Sequence, residues 1–236
     1  MNRKLGLIFD CDGVLIDSEE AHFQSWKLTL EDRGFDLKQE EFFPFVGSPN
    51  LQTALGLARL KRIGNYKELL EEKHKHFSKI SPFYIKPMDD TMAFLQKLEL
   101  KKRFLPFALA IASAAPMIEL KMHLDKIKSR RIFDEIISGT DHLRHYKDPS
   151  GVNKPKPYVY LEAAKKLNIA PERCIAFEDT AIGLAAAKSA GMFVCVRPHA
   201  FSIRQDFSQA DVVLEHFFDL TIEKLLVLRR SQNTNG

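Results

Sequence analysis

The sequence predicts an α/β protein: a Rossmann-like, doubly wound parallel sheet core with an inserted α-helical cap domain. Three observations lead there. Short apolar runs of strand length recur along the chain, with helix-like stretches between the later ones. The runs lack polar alternation, as strands buried on both faces do. Between the first run and the second lie almost a hundred residues with helical spacing and no convincing strand.

In chain order, strands are expected at LGLIF (5–9), FALAIA (107–112), EIIS (135–138), CIAF (174–177), MFVCV (192–196) and DVVL (211–214). Helices are expected at 158–167, ended by Asn168 and Pro171; at 181–190, ended by Gly191; and at 220–228, opening after Asp219. Strands alternating with helices imply a parallel, doubly wound sheet. In the long interval, 19–33, 51–60 and 67–78 read as helices with Gly34, Gly64 and Pro82 as breaks. A helix at 90–100 belongs to the core and leads into the second strand. The core is therefore expected at 1–17 and 86–230, the cap at 18–85, and a disordered tail at 231–236.

Composition excludes several classes. Of 236 residues, 45% are hydrophobic and 28% charged, an ordinary globular balance. Thirty-five Lys and Arg against 31 Asp and Glu give only +4 over the whole length, too little for a nucleic-acid partner. No apolar run approaches the roughly 18 residues of a membrane span, and Met1 to Lys4 pass directly into the first strand, so neither membrane nor secretory leader is expected. Cys11, Cys174 and Cys195 are odd in number and lack CxxC spacing, so they read as reduced core thiols of a cytoplasmic protein. A monomer is expected.

Ligands of open α/β sheets bind beyond the carboxyl ends of the strands. Here those ends carry Asp10-Cys11-Asp12-Gly13, Ser113 and Glu178-Asp179, while Asn153-Lys154-Pro155 is expected to begin the helix feeding the fourth strand. Four acids, one hydroxyl and one lysine thus converge on one edge. Carboxylates about 4 Å apart repel by roughly 4 kcal/mol at an effective dielectric of about 20, and a phosphate dianion worsens the conflict. A divalent cation removes it, and an all-oxygen donor set suits Mg²⁺. Lys154 by charge and Ser113 by hydrogen bonding would then hold the remaining phosphate oxygens. Residues two apart on an extended strand share a face, so Asp10 and Asp12 both reach the site while Cys11 faces the core. Asp10 is the candidate nucleophile and Asp12 the candidate acid/base. Gly13 permits the sharp exit from the strand.

These residues carry a resemblance. Asp10-Cys-Asp-Gly-Val-Leu, Ala112-Ser113-Ala114, Asn153-Lys154-Pro155-Lys156-Pro157 and Phe177-Glu178-Asp179-Thr180 with Gly183 resemble, in order and spacing, the four motifs of the haloacid dehalogenase superfamily. The likeness is strongest to the β-phosphoglucomutase-like branch with its helical cap. It implies an aspartyl-phosphate mechanism in a Mg²⁺ site, with Asp10 as nucleophile and ligand, and Asp12 as acid/base ligating through its backbone carbonyl. It further implies Asp179 as a ligand, Glu178 in or near the metal shell, and Ser113 and Lys154 as the phosphate grip. The metal-free dehalogenases lack the second acid, so Asp12 argues against their chemistry.

The resemblance also places cap residues. His22 matches a substrate-facing histidine of the mutase branch, and Val46-Gly47-Ser48-Pro49-Asn50 matches the specificity loop. Asn50 stands near where the mutase carries an arginine for a second phosphate. Asn153 replaces the usual glycine before the motif lysine, after a long loop at 139–152. A phosphatase of a small phosphorylated metabolite is therefore expected, with a sugar phosphomutase and a catalytically silent binding protein as alternatives. His74 and His76 are expected on a solvated helix face, His142 and His145 in a solvated loop, and Lys126, Lys128, Arg130 and Arg131 on a solvated helix face.

Overall fold

The computed structural model describes residues 5–128, 130–218 and 220–233. Expectations for Met1 to Lys4, for Asp219 as a helix opener and for 234–236 lie outside these. A six-stranded, all-parallel sheet forms from β1 (Leu5–Phe9), β4 (Phe107–Ser113), β5 (Glu135–Ser138), β6 (Cys174–Glu178), β7 (Phe193–Val196) and β8 (Val212–Val213), in the order β5-β4-β1-β6-β7-β8. The chain winds outward from β1 through β4 to β5, then starts again on the other side at β6. The switch point therefore falls between β1 and β6, where a crevice opens at the carboxyl ends.

Both faces of the sheet are covered, which is why its runs lack alternation. Leu5, Leu7 and Phe9 of β1 join one apolar cluster with Phe94, Ile111 and Phe177. Ile8 joins the other with Ala110, Val159 and Ala187. Phe9 stacks on Phe177 at 4.3 Å between centroids, locking the two strands whose ends bear the acids. The flanking helices include α5 (Asp89–Lys101), α6 (Met117–Leu124), α7 (Tyr158–Leu167), α8 (Ala181–Ser189) and α9 (Ile222–Asn233). Asn168 closes α7 in the left-handed conformation at φ 54°, a cap that Asn adopts readily.

Between β1 and β4 the chain forms α1 (Glu19–Glu31), α2 (Gln39–Phe42), α3 (Asn50–Leu60) and α4 (Tyr66–Tyr84). A separate cluster built on Trp26, Leu30, Ala54, Leu57 and Leu69 holds these helices together. Phe201 from the core side also enters that cluster.

Several expectations need correction. Two short strands, β2 (Ile16–Asp17) and β3 (Lys86–Pro87), pair antiparallel where the chain leaves and re-enters the core. Pro82 does not stop α4, which runs through it to Tyr84. Its missing N–H forfeits only one bond near the helix end, and Ile85 N still closes on Ser81 O at 2.9 Å. Lys154 lies in a turn, and α7 begins only at Tyr158, after Pro157. The exposed Lys126, Lys128, Arg130 and Arg131 follow the end of α6 in turns and a 3₁₀ segment rather than on a helix face. Ser231 to Asn233 are helical, so the expected tail begins too early.

Candidate active site

A cavity of about 300 Å³ lies between the strand ends and the helical insert. Asp10, Asp12, Ser113, Lys154 and Asp179 line it from the sheet, and His22 and Asn50 from the insert. The structure therefore brings these sequence-predicted residues together. Glu178 sits just behind, fully buried.

Lys154 is the hub. Its Nζ donates to Glu178 Oε1 at 2.7 Å and pairs with Asp10 Oδ1 at 2.9 Å. Burial pulls its pKa down, but the Asp10 and Glu178 carboxylates outweigh burial and raise it, so the amine stays charged. Glu178 Oε1 also accepts from the Tyr160 hydroxyl, while Oε2 accepts from Asp179 N at 3.2 Å and Thr180 Oγ at 3.3 Å. Both Glu178 oxygens are thus engaged by the protein itself. No side chain is tolerated at Gly183, where a Cβ would lie 2.0 Å from that carboxylate.

Asp10 and Asp179 stand differently. The contacts described for Asp10 fall on Oδ1, from Lys154 and from Cys11 N at 2.8 Å, which leaves Oδ2 available. Burial raises the Asp10 pKa to about 7 despite Lys154, with Glu178 and Asp12 adding repulsion. Burial likewise pushes Asp179 well above the usual carboxylate range, followed by Glu178 and Asp10. Asp179 Oδ1 and Oδ2 are both buried without a hydrogen-bond partner. One oxygen each of Asp10, Glu178 and Asp179 lie within 4.8 Å of one another, and a divalent cation among them satisfies an orphaned Asp179 oxygen. Gly13 allows this approach: at φ +76°, a Cβ there would sit 1.9 Å from Asp179 Oδ2.

Asp12 lies beyond the strand, and Ser18 Oγ donates to its Oδ1 at 2.7 Å. Ser113 Oγ accepts from Ala115 N at 3.0 Å, which frees its O–H to donate toward the cavity. Arg197, buried and missed by sequence reasoning, donates from Nη2 to Gly13 O at 3.1 Å and pairs with Asp90 at 3.3 Å, fixing the turn after Asp12.

Residues 7–196 match the haloacid dehalogenase-like hydrolases. The chain belongs to that family. β-Phosphoglucomutase of Bacillus subtilis is 31% identical over 232 residues, covering 93% of this chain and 92% of that protein. Fructose-1-phosphate phosphatase YqaB of Escherichia coli is 28% identical over 192 residues, covering 80% and 94%. The crystal structure of β-phosphoglucomutase from Clostridium difficile superimposes with a TM-score of 0.75 at 21% identity, over 98% of this chain and 99% of that one. This haloacid dehalogenase-like chain has the family's capped α/β fold and is an enzyme of its phosphatase and phosphomutase kind.

The cap side of the site holds a surprise. Lys73, 1% exposed, donates to Asn50 Oδ1 at 3.1 Å and lies 3.0 Å from His22 Nδ1. Burial, then the charge of Lys73, drives the His22 pKa far down, so its ring is neutral and Nδ1 accepts. The site lacks an arginine at Asn50 but not a cation behind it. The spacing Leu69, Lys73, Phe77, Ser81 places Lys73 on the buried face of α4, a signal available in the sequence. The other histidines keep their expected places: His74 and His145 are exposed, though His74 also lines the cavity and His145 pairs with Glu162 at 3.3 Å, while the half-buried His76 contacts Asp32 at 2.9 Å and His142 Nδ1 accepts from Ser138 N.

Proposed function

We propose that the protein is a Mg²⁺-dependent phosphatase that hydrolyses a small phosphate monoester, of the sugar-phosphate kind, through an aspartyl phosphate on Asp10. The observation that carries the reading is the pairing of a charged, buried Lys154 on Asp10 Oδ1 with the two partnerless oxygens of Asp179. Asp10 and Asp179 would hold the ion, with the Asp12 carbonyl as the family resemblance implies. Bound Mg²⁺ supplies charge neutralisation that lets phosphate approach the carboxylates. Glu178, with both oxygens engaged, orients Lys154 rather than ligating directly.

The chain's own groups then do the chemistry. Asp10 Oδ2 attacks phosphorus as the ester P–O bond breaks, and Asp12 gives its proton to the leaving alkoxide. Lys154 and the Ser113 hydroxyl hold phosphate oxygens throughout. Asp12 next takes a proton from water, whose oxygen attacks phosphorus, and phosphate departs with Asp10 restored. The three buried, reduced thiols fit a cytoplasmic enzyme, and a monomer suffices because one chain supplies every group named.

A sugar phosphomutase is the second reading, favoured by Lys73 behind Asn50 and His22. The experiment supplies β-glucose 1-phosphate with a trace of the 1,6-bisphosphate and follows glucose 6-phosphate and free phosphate, with Mg²⁺ and with chelator. Mg²⁺-dependent phosphate release is expected across a panel of such monoesters. Fast isomer formation with negligible phosphate release would establish the mutase, and undiminished turnover in chelator would remove the metal.

A further inference from the structure

Around Asp12, apart from its neighbours Asp10 and Asp179 in the acidic cluster, three different donor types meet: a thiol, a carboxylate and an imidazole. His123 of α6 is 2% exposed, and its Nδ1 lies 3.4 Å from Asp12 Oδ1 and 3.9 Å from Cys11 Sγ. The thiol, carboxylate and imidazole donors all fall within 4.8 Å of one another. A tetrahedral Zn²⁺, at about 2.3 Å from sulfur and about 2.0–2.1 Å from nitrogen and oxygen, spaces its donors by roughly 3.3–3.6 Å. His123 Nδ1 already stands at that spacing from Asp12 Oδ1 and needs to close by only a few tenths of an ångström on Cys11 Sγ.

We propose that Cys11, Asp12 and His123 form a second cation site that takes Zn²⁺ and silences the enzyme by withdrawing Asp12 from proton transfer. Binding replaces the Cys11 thiol proton, which leaves to solvent, with a Zn–S bond. The imidazole ligates as the neutral tautomer through Nδ1, and water takes the fourth position. The mixed S, N and O set excludes Mg²⁺, which takes oxygen donors, so the two sites differ in ion. Ser18 Oγ already holds the ligating Asp12 oxygen at 2.7 Å, the outer support that metal ligands need. Entry is open on the Asp12 side, which lines the cavity with its side chain 22% exposed. Glu119, one turn before His123 on α6, adds negative charge at that mouth.

The inhibition arm rests on the acid/base role given to Asp12 above; the binding arm does not. Both are tested on the intact enzyme in saturating Mg²⁺, with Co²⁺ as the spectroscopic probe and Zn²⁺ as the inhibitor. One equivalent of Co²⁺ should produce a thiolate-to-metal charge-transfer band in the wild type, and both Cys11→Ala and His123→Gln should abolish it. Cys11→Ala should keep its Mg²⁺-supported turnover while the Zn²⁺ concentration for half-inhibition rises at least about tenfold. No band in the wild type, or a band that survives in either variant, overturns the site. Equal Zn²⁺ inhibition in all three proteins places the inhibiting ion on Asp10 and Asp179 and overturns the silencing. A band with no inhibition keeps the site and removes Asp12 from the acid role.

Discussion

Asp12 and Lys73 show how far single residues carry the account. Asp12→Asn keeps the side-chain volume but has no proton to give, so turnover should fall by about 10²–10⁴ for an alkyl phosphate. The loss should shrink for an aryl phosphate whose leaving group needs no proton, and equal losses would remove the acid role. Lys73 is held near pKa 8 against an ordinary 10.5, first by burial and against the opposing pull of Glu119 and Glu19. Between those values the unfolded chain binds more protons, so stability rises with pH from 8 to 10.5, and the full cost is present below 8. Lys73→Met should therefore be more stable than the wild type at pH 7 by on the order of 1–3 kcal/mol, a gain that vanishes near pH 10.5. Denaturant melts across that range check it, and a constant difference would contradict it. The acids and Ser113 were legible because each ends or follows an apolar strand as a polar interruption, and Lys154 because Asn153-Lys154-Pro155 resembles the third family motif. Lys73 was passed over, because in KELLEEKHKHFSK only its four-residue spacing to Leu69 and Phe77 separates it from the solvated lysines around it.

Elements were legible to the extent that they bury a repeating pattern. The five longer strands each fill two faces of the core and read cleanly, whereas β2 and β3 have two residues each and no period to read. They matter because they pair where the helical insert joins the core, with Ile16 opposite Pro87. A second link spans the gap: Gln205 Oε1 accepts from Ala181 N at 2.7 Å, and its Nε2 donates to Val46 O at 3.2 Å. The 46–50 loop thus touches the core through the Gln205 side chain, beside the close approach of Gly47 to Thr180. Gln205→Ala should loosen closure, raising KM several-fold with a smaller effect on folding, because it removes about one net hydrogen bond at each end. An unchanged KM would show that closure does not use this bridge.

At the scale of the molecule, the switch point between β1 and β6 explains why the acids meet and why the cavity lies under the insert. A site closed by two bodies joined through a narrow ribbon should change their relative orientation when phosphate and Mg²⁺ bind. Solution scattering of free and ligated enzyme reads that change, and identical profiles would leave the insert without a gating role. What the enzyme's substrate carries beyond its phosphate was not legible, since the cap residues that face it have no code in the sequence. The central claim is that Asp10 takes the phosphoryl group. Enzyme quenched in acid during turnover of a labelled phosphate ester with Mg²⁺ should carry label on the peptide containing Asp10, and Asp10→Asn should carry none and release no phosphate. Label on another residue, or wild-type phosphate release by Asp10→Asn, would contradict it.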